Sequence, residues 1–305
     1  METRVLGKDG PQVPVICFGA WPIGSGMGAV ARDQAIATVE TALDVGMTFI
    51  DTAESYRDSE ETLGEVLKGR RDQVFLATKL SQEHSPGHLA WAIDNSLRAL
   101  GTDYVDLYQL HSPKPEWPID QTMESLLRLR DLGKIKYIGV SNFSGRQTLE
   151  ALEYGPIHSS QPCYNMLHRD PEDDELPACL ENGIGVIAYS PLGKGLLTGK
   201  YQPGHRFQPG DERGRADVTV FEGEIFKRVF EVTERLKGWA QDNGRDLVQL
   251  AIAWTLAHPA VTSSIVGAKS PEQVRHNVKA ADWRLSARDL VEIDGIQGDL
   301  RLHGW

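Results

Sequence analysis

The sequence predicts an α/β protein: a single (β/α)8 barrel over residues 1–305, with an N-terminal β-hairpin and extra helices. Three observations carry that expectation. Strand-like and helix-like stretches alternate eight times along 305 residues. The strand-like stretches are apolar with little polar alternation, as expected when both faces of a parallel strand are buried. Punctuation falls between them: Asp33, Ser59, Ser144 and Ser270 are read as N-caps, and Gly46, Gly101, Gly133 and Gly183 as C-terminal glycines. The competitor is a doubly wound open sheet, which usually carries a glycine fingerprint just after its first strand. GSGMG (24–28) has G-x-G-x-G spacing and lies several residues beyond the strand, so it is read as a mobile loop.

The elements follow in order. TRVL–GKDG–PQV is read as a small hairpin that plugs the barrel bottom. PVICFGA (14–20) precedes a helix from Asp33 to Val45, and TFIDTA (48–53) one from Ser59 to Lys68. VFLATKL (74–80) leads to Gly87–Leu100, and VDLYQLH (105–111) to Ile119–Leu132. IKYIGVSN (135–142) leads to Ser144–Tyr154, and SSQPCYN (159–165) to Asp173–Asn182. GVIAYSP (185–191) is followed by an irregular stretch, 192–220, whose length within a compact domain points to a lid or partial disorder. Helices from Phe221 to Asn243 and from Asp246 to His258 come next. TSSIVGA (262–268) precedes Pro271–Ala281, and SARDLVEIDGI (286–296) is one more helix outside the repeat.

Composition narrows the function. The chain is 40% apolar and 25% charged, which excludes a disordered class. No apolar run approaches the roughly 20 residues that span a bilayer, and METRVLGKDG lacks an apolar secretory core. A net charge of −11 disfavours nucleic acid and anionic lipid as partners. Cys17, Cys163 and Cys179 form no CxxC pair, so neither a disulfide framework nor a zinc site is expected, and the cytoplasm is the natural compartment.

In a barrel of this kind chemistry gathers where strands end. Those ends carry Asp51 with Tyr56 just beyond, Lys79, His111, Ser141–Asn142, Gln161–Asn165, Tyr189–Ser190 and Gly267–Lys269. Taken singly, Asp51 reads equally as a helix cap, Tyr56 as a packing residue, Lys79 as a solvated rim lysine and His111 as a structural hydrogen-bonder. Their succession at adjacent strand ends makes the chemical reading the stronger one.

The ordered set DTAESYRDSEETLG (51–64), ATK (77–79), LYQLH (107–111), GVSNF (139–143), QPCYN (161–165), YSPLGKGLLTGK (189–200) and IVGAKSPEQVRHN (265–277) resembles the aldo-keto reductases over nearly the whole chain. It is most similar to the bacterial branch related to potassium-channel β subunits. The resemblance implies NADPH-dependent reduction of a small-molecule aldehyde or ketone, with Asp51, Tyr56, Lys79 and His111 as the catalytic set. The chemistry is consistent with those residues. Hydride arriving at a carbonyl carbon leaves negative charge on oxygen, which needs a proton donor and hydrogen-bond support. Tyr56 is expected to give the proton, Lys79 to make the phenol a better acid, Asp51 to balance Lys79, and His111 to orient the carbonyl.

The resemblance also implies the cofactor contacts. Gly19, Ala20 and Trp21 follow the first strand, with Trp21 on the substrate side. Ser141, Asn142 and Gln161 are expected at the nicotinamide carboxamide, and Tyr189 stacked on the ring. Ser190, Leu192, Gly195 and Leu197 are expected along the pyrophosphate. Gly267, Ala268, Lys269 and Ser270 open the last helix, with Lys269 and Ser270 at the 2′-phosphate and Gln273 and Asn277 at adenine. Lys194 and Lys200 are further phosphate candidates. Two positions depart from the family pattern: Arg57 where glycine is common, and His276 where glutamate is common. A regulatory subunit that binds cofactor with little catalysis is the alternative. A hydrolase using Asp51 with His111 is weaker, because the cofactor-type positions would then have no role. The sequence leaves monomer and homo-oligomer open.

Overall fold

The structure, a computed structural model, describes residues 1–24, 26–207, 211–215 and 218–303. Two short strands, β1 (Thr3–Val5) and β2 (Gln12–Pro14), pair antiparallel with Arg4 opposite Val13. Among the described residues eight parallel strands then close into a barrel. They are β3 (Ile16–Gly19), β4 (Phe49–Asp51), β5 (Phe75–Leu80), β6 (Val105–Leu110), β7 (Ile135–Ser141), β8 (Ser159–Gln161), β9 (Gly185–Ala188) and β10 (Val261–Gly267). Neighbours in sequence are neighbours in the sheet, and β10 closes the ring on β3 with Gly267 opposite Gly19.

The outer shell holds α1 (Arg32–Asp44), α2 (Ser59–Val66), α3 (Pro86–Leu100), α4 (Ile119–Asp131), α5 (Gly145–Tyr154) and α6 (Glu175–Asn182). The seventh unit carries two helices, α7 (Gly223–Asp242) and α8 (Leu247–Ala257). The last unit ends in α9 (Pro271–Asn277), and α10 (Ala287–Gln297) packs back on α7. There Trp239 donates its indole N–H to Glu292 at 3.0 Å. No helix of the described residues is long and apolar enough to cross a membrane.

The barrel interior is layered by the two-residue period of strands. Cys17, Phe49, Ala77, Leu107, Ile187 and Ile265 form a dry lower layer, closed from below by Leu6 and Val13 of the hairpin. Two residues further along the same strand faces, Asp51, Lys79, Gln109 and Tyr189 bring polar groups, and Gln161 at the end of β8 joins them. The hairpin is the expected plug. The Lys8 N–H donates to Gly183 O at 2.6 Å, and the Arg4 guanidinium to Leu256 O and Val261 O at 3.0 and 2.6 Å. Gly7 at its tip has φ +68°, and a Cβ there would stand 2.8 Å from His158 O, so a side chain is excluded by space and by backbone.

Several boundaries differ from expectation for identifiable reasons. Asp33 lies inside α1, whose N-cap is Ala31, and contributes there as a first-turn acid. Ser59 is inside α2, capped at Asp58, and its hydroxyl is turned inward to Thr52 Oγ1 at 2.7 Å. Ser144 and Ser270 do cap, accepting from the backbone N–H of Gln147 and Gln273. Gly101 and Gly183 end helices in the left-handed conformation. Gly46 and Gly133 lie one residue past their C-caps, both with positive φ. β8 stops at Gln161 instead of running to Asn165 because Pro162 has no N–H to give; pairing resumes as a Cys163–Tyr189 bridge. The helix expected over 271–281 turns to 3-10 geometry at Val278.

Tyr201 and Phe207 of the 192–220 stretch form an aromatic cluster with Phe221 just beyond it, ring centroids 4.7 to 5.4 Å apart. Residues 208–210 and 216–217 of that stretch, and Ser25 of the glycine-rich loop, lie outside the described residues. Gly26 of that loop packs on the Trp21 indole, where a Cβ would meet the ring at 2.2 Å.

Replacing Leu6 by Ala opens a void at the sealed bottom. It is expected to destabilise the fold by about 2–4 kcal/mol, measured as a lowered thermal midpoint; an unchanged midpoint would show that the hairpin does not close the core.

Candidate active site

The site is built on a cation placed inside the barrel. Lys79 points inward from the end of β5 and is fully buried. A buried ammonium needs a counter-charge and a partner for each N–H. Its Nζ pairs with Asp51 Oδ1 and donates to Thr52 O at 3.0 Å and to the Tyr56 hydroxyl at 3.4 Å. The second carboxylate oxygen, Asp51 Oδ2, accepts N–H bonds from Gln109 and Gln161, both at 3.0 Å. The two amides are themselves joined, Gln161 Nε2 to Gln109 Oε1, at 3.0 Å. Burial pulls the Lys79 pKa down, but attraction to Asp51 and Tyr56 outweighs it; the net shift is upward and the ammonium persists at neutral pH.

Tyr56 sits above this pair, its ring edge-on to Trp21 with centroids 4.7 Å apart. Its hydroxyl lies 3.4 Å from His111 Nε2. The expectation that Lys79 makes the phenol a better acid is only partly met. Burial raises the Tyr56 pKa most, Lys79 opposes it, and Asp51 adds to the rise, so the net shift is upward. The phenol therefore holds its proton at rest, and the nearby ammonium favours phenolate only once that proton has a taker. Burial, with Lys79 and Lys114 nearby, drives the His111 pKa down to about 3. The ring is neutral and offers one N–H and one lone pair.

Most of the predicted cofactor positions converge on one cavity of about 1030 Å³ at the carboxyl ends of the strands, and the catalytic candidates Asp51, Tyr56 and His111 line it too. Gly19, Ala20, Trp21, Ser141, Asn142, Gln161, Tyr189, Ser190, Leu192, Gly195, Gly267, Ala268, Lys269, Gln273 and Asn277 border it. Two do not. Leu197 is packed in the apolar core, and the Ser270 hydroxyl caps α9. The left-handed non-glycine residues among those described, Arg57, Asn142, Ser190 and Lys194, all stand in the loops after the strand ends. Such backbone costs of order 1 kcal/mol per residue and collects at functional sites. At Arg57 the φ of 52° is one that glycine would adopt without strain.

All three positions predicted for the carboxamide are already engaged, Ser141 by donating its hydroxyl to Gln161 O at 2.9 Å. Asn142 donates to His111 O at 2.8 Å and accepts from the Tyr189 hydroxyl at 2.8 Å. Both N–H groups of Gln161 serve Asp51 and Gln109, which leaves its Oε1 as the acceptor toward the cavity. Gln273 Oε1 accepts from the Lys269 backbone N–H at 2.8 Å, and Lys269 Nζ bonds Met27 O. His276 pairs with Asp246 at 3.0 Å, whereas the Asn277 amide, only 5% exposed, makes no hydrogen bond within the described residues.

The residues present fit a nicotinamide dinucleotide. The cavity exceeds the few hundred Å³ that a small metabolite needs. Lys200, Arg213 and Lys269 share it, and burial together with the neighbouring cations lowers the pKa of both lysines. A positive cluster in a chain of net charge −11 is a place for phosphate.

Sequence reasoning missed Gln109, Ser81 and Arg213. The first two had a signal: Gln109 is two residues before His111 and Ser81 two after Lys79, so strand period places each on an inward face. Arg213 had none, because a loop has no period.

The neutral state of His111 makes stability depend on acid. The unfolded chain takes up a proton below 6.5, while the folded barrel resists until about 3. Stability therefore falls as pH drops through that window. His111→Gln removes the group, and its thermal midpoint should decline less steeply than that of the wild type from pH 6.5 toward 3; parallel curves would show that His111 is not held neutral.

Comparison with known proteins agrees with this geometry. The pattern of the Aldo/keto reductase family matches residues 15–297. The chain is 36% identical to aldo-keto reductase YhdN of Bacillus subtilis (strain 168), over 97% of this chain and 93% of that one. It is 31% identical to the L-glyceraldehyde 3-phosphate reductase of Escherichia coli (strain K12), over 100% and 95%. It is 33% identical to a probable voltage-gated potassium channel subunit beta of Arabidopsis thaliana, over 92% of each. Among solved structures, the glycerol dehydrogenase AKR11B4 of Gluconobacter oxydans superposes with a TM-score of 0.89 at 30% identity, covering 98% of this chain and 95% of that one. Barrel, buried ion pair and sequence thus lead to one conclusion: this chain is a member of the aldo/keto reductase family.

Proposed function

We propose that this oxidoreductase reduces aldehyde or ketone carbonyls with NADPH, and that Tyr56 is the proton donor. The observation that carries the reading is the position of the Tyr56 hydroxyl. It lies 3.4 Å from an ammonium and 3.4 Å from a neutral imidazole, at the mouth of a cavity sized for a dinucleotide. Bound NADPH would supply hydride to the carbonyl carbon. The chain's residues serve the oxygen. His111 Nε2–H and the Tyr56 O–H bond the carbonyl oxygen and fix its orientation. As charge grows there, the phenol proton moves to it and Lys79 steadies the phenolate left behind. Asp51 keeps Lys79 charged, and Gln109 and Gln161 keep Asp51 in register.

For the cofactor, Lys200, Arg213 and Lys269 form the anion end, Asn277 is an open partner for adenine, and Tyr189 lines the path between. Cys17, Cys163 and Cys179 are unpaired and buried, which suits a reducing cytoplasm. The similarity to a channel subunit keeps a second reading in view, a cofactor-binding regulatory protein with little catalysis.

Tyr56→Phe separates the two readings. It should bind NADPH as the wild type does and reduce a reactive aldehyde more slowly by a factor of about 100 or more, followed as loss of NADPH absorbance. Equal rates would reject Tyr56 as donor. No turnover by the wild type across a broad carbonyl panel would favour the regulatory reading. Lys269→Met should weaken NADPH by about tenfold, or roughly 1.4 kcal/mol, and leave NADH little changed, as read by fluorescence titration. Equal weakening of both would remove Lys269 from the 2′-phosphate.

A further inference from the structure

On the Nδ1 side of His111 two hydroxyls stand in series, the outer one, Ser55, at the border of the cavity. His111 Nδ1 lies 2.7 Å from Ser81 Oγ, and Ser81 Oγ lies 2.9 Å from the hydroxyl of Ser55, an exposed residue. Ser81 is itself fixed, its backbone N–H donating to Glu54 Oε1 at 2.5 Å. The His111 backbone is held at both ends: its N–H donates to Leu80 O at 2.9 Å, and its carbonyl accepts from Asn142 Nδ2 at 2.8 Å. What remains undetermined by the backbone is which ring nitrogen carries the proton.

The two hydroxyls can be polarised in either sense. If Nδ1–H donates to Ser81, Nε2 is bare and draws the Tyr56 O–H toward itself, away from any substrate. If Ser55 donates to Ser81 and Ser81 to Nδ1, the proton sits on Nε2. The Tyr56 oxygen then receives from Lys79 and His111, and its own O–H is left to point into the cavity. A carboxylate behind Nδ1 would pull a proton onto that nitrogen; a hydroxyl can give one. We propose that Ser81, backed by Ser55, is a positioning residue that holds His111 as the Nε2–H tautomer, so that His111 and Tyr56 each present a donor to the same carbonyl oxygen. This rests on the carbonyl-reductase reading above, but its central measurement needs no turnover.

The test is nitrogen NMR of 15N-histidine-labelled protein at neutral pH, with NADP+ bound. Wild-type His111 should show a protonated Nε2 and an unprotonated Nδ1. Ser81→Ala should raise the Nδ1–H population and lower kcat roughly tenfold, with KM for NADPH unchanged. Ser81→Thr, which restores a hydroxyl, should recover both. Ser55→Ala leaves the His111 contact in place but removes the donor behind it, so it should shift the tautomer in the same direction to a lesser degree. It also serves if the alanine at position 81 does not fold. An Nδ1–H tautomer in the wild type, or an unchanged tautomer in the two alanine variants, overturns the proposal. Absence of carbonyl reduction with the tautomer as described would overturn the functional reading and leave the role of Ser81 in place.

Discussion

The arrangement depends on an ammonium buried inside a barrel. Lys79 closes an otherwise apolar strand, and its charge lies where solvent does not reach. An isolated charge in that position would lose its proton or unfold its surroundings. Here it keeps the proton because the neighbouring strand ends at Asp51, and because Thr52 O and the Tyr56 hydroxyl take its remaining N–H bonds. Asp51 in turn is held by two amides, Gln109 from β6 two strands along and Gln161 from β8 across the ring. Five side chains and the Thr52 carbonyl, from four strand ends, thus form a polar network in which each member satisfies another. Removing one partner leaves a buried charge uncompensated, which explains why the whole set has to be present together.

That network sets the electrostatics of everything above it. Burial, reinforced by the positive charge of Lys79, keeps His111 neutral, and burial keeps the Tyr56 phenol protonated. A neutral donor and a protonated acid side by side suit an oxygen that becomes anionic during reaction. A charged imidazole would compete for the same ammonium-rich space. At the far end of the cavity the logic reverses. Cations are gathered there, and Asp211 opposes their mutual repulsion. That far end is therefore positive, while the chain as a whole is strongly negative.

Much of this was readable in the sequence, for a physical reason. Strand period and helix punctuation are local, and they gave all eight units and the bottom plug. Lys79, His111 and Asp51 stand where apolar runs stop, and a polar group at such a place is visible without coordinates. The errors were local too. Ser59 has the local pattern of a cap, but its hydroxyl has a buried partner seven residues back, and a strand period carried through Pro162 overruns a residue with no N–H. Leu197 followed a loop pattern into the cavity, whereas packing takes it into the core.

What the chain alone determined is the order of its elements and the kind of group at each strand end, because both follow from periods of two and 3.6 residues. What only the tertiary structure decided is how those groups divide their bonds. Asn142 and Gln161 have the right chemistry for an amide ligand, yet most of their hydrogen-bonding capacity is directed to His111, Tyr189, Asp51 and Gln109. Ser81 is an ordinary serine until the register of β5 on β6 brings it against an imidazole thirty residues away. Hydrogen bonds between distant strands depend on register and closure, and neither is written in any local stretch of sequence.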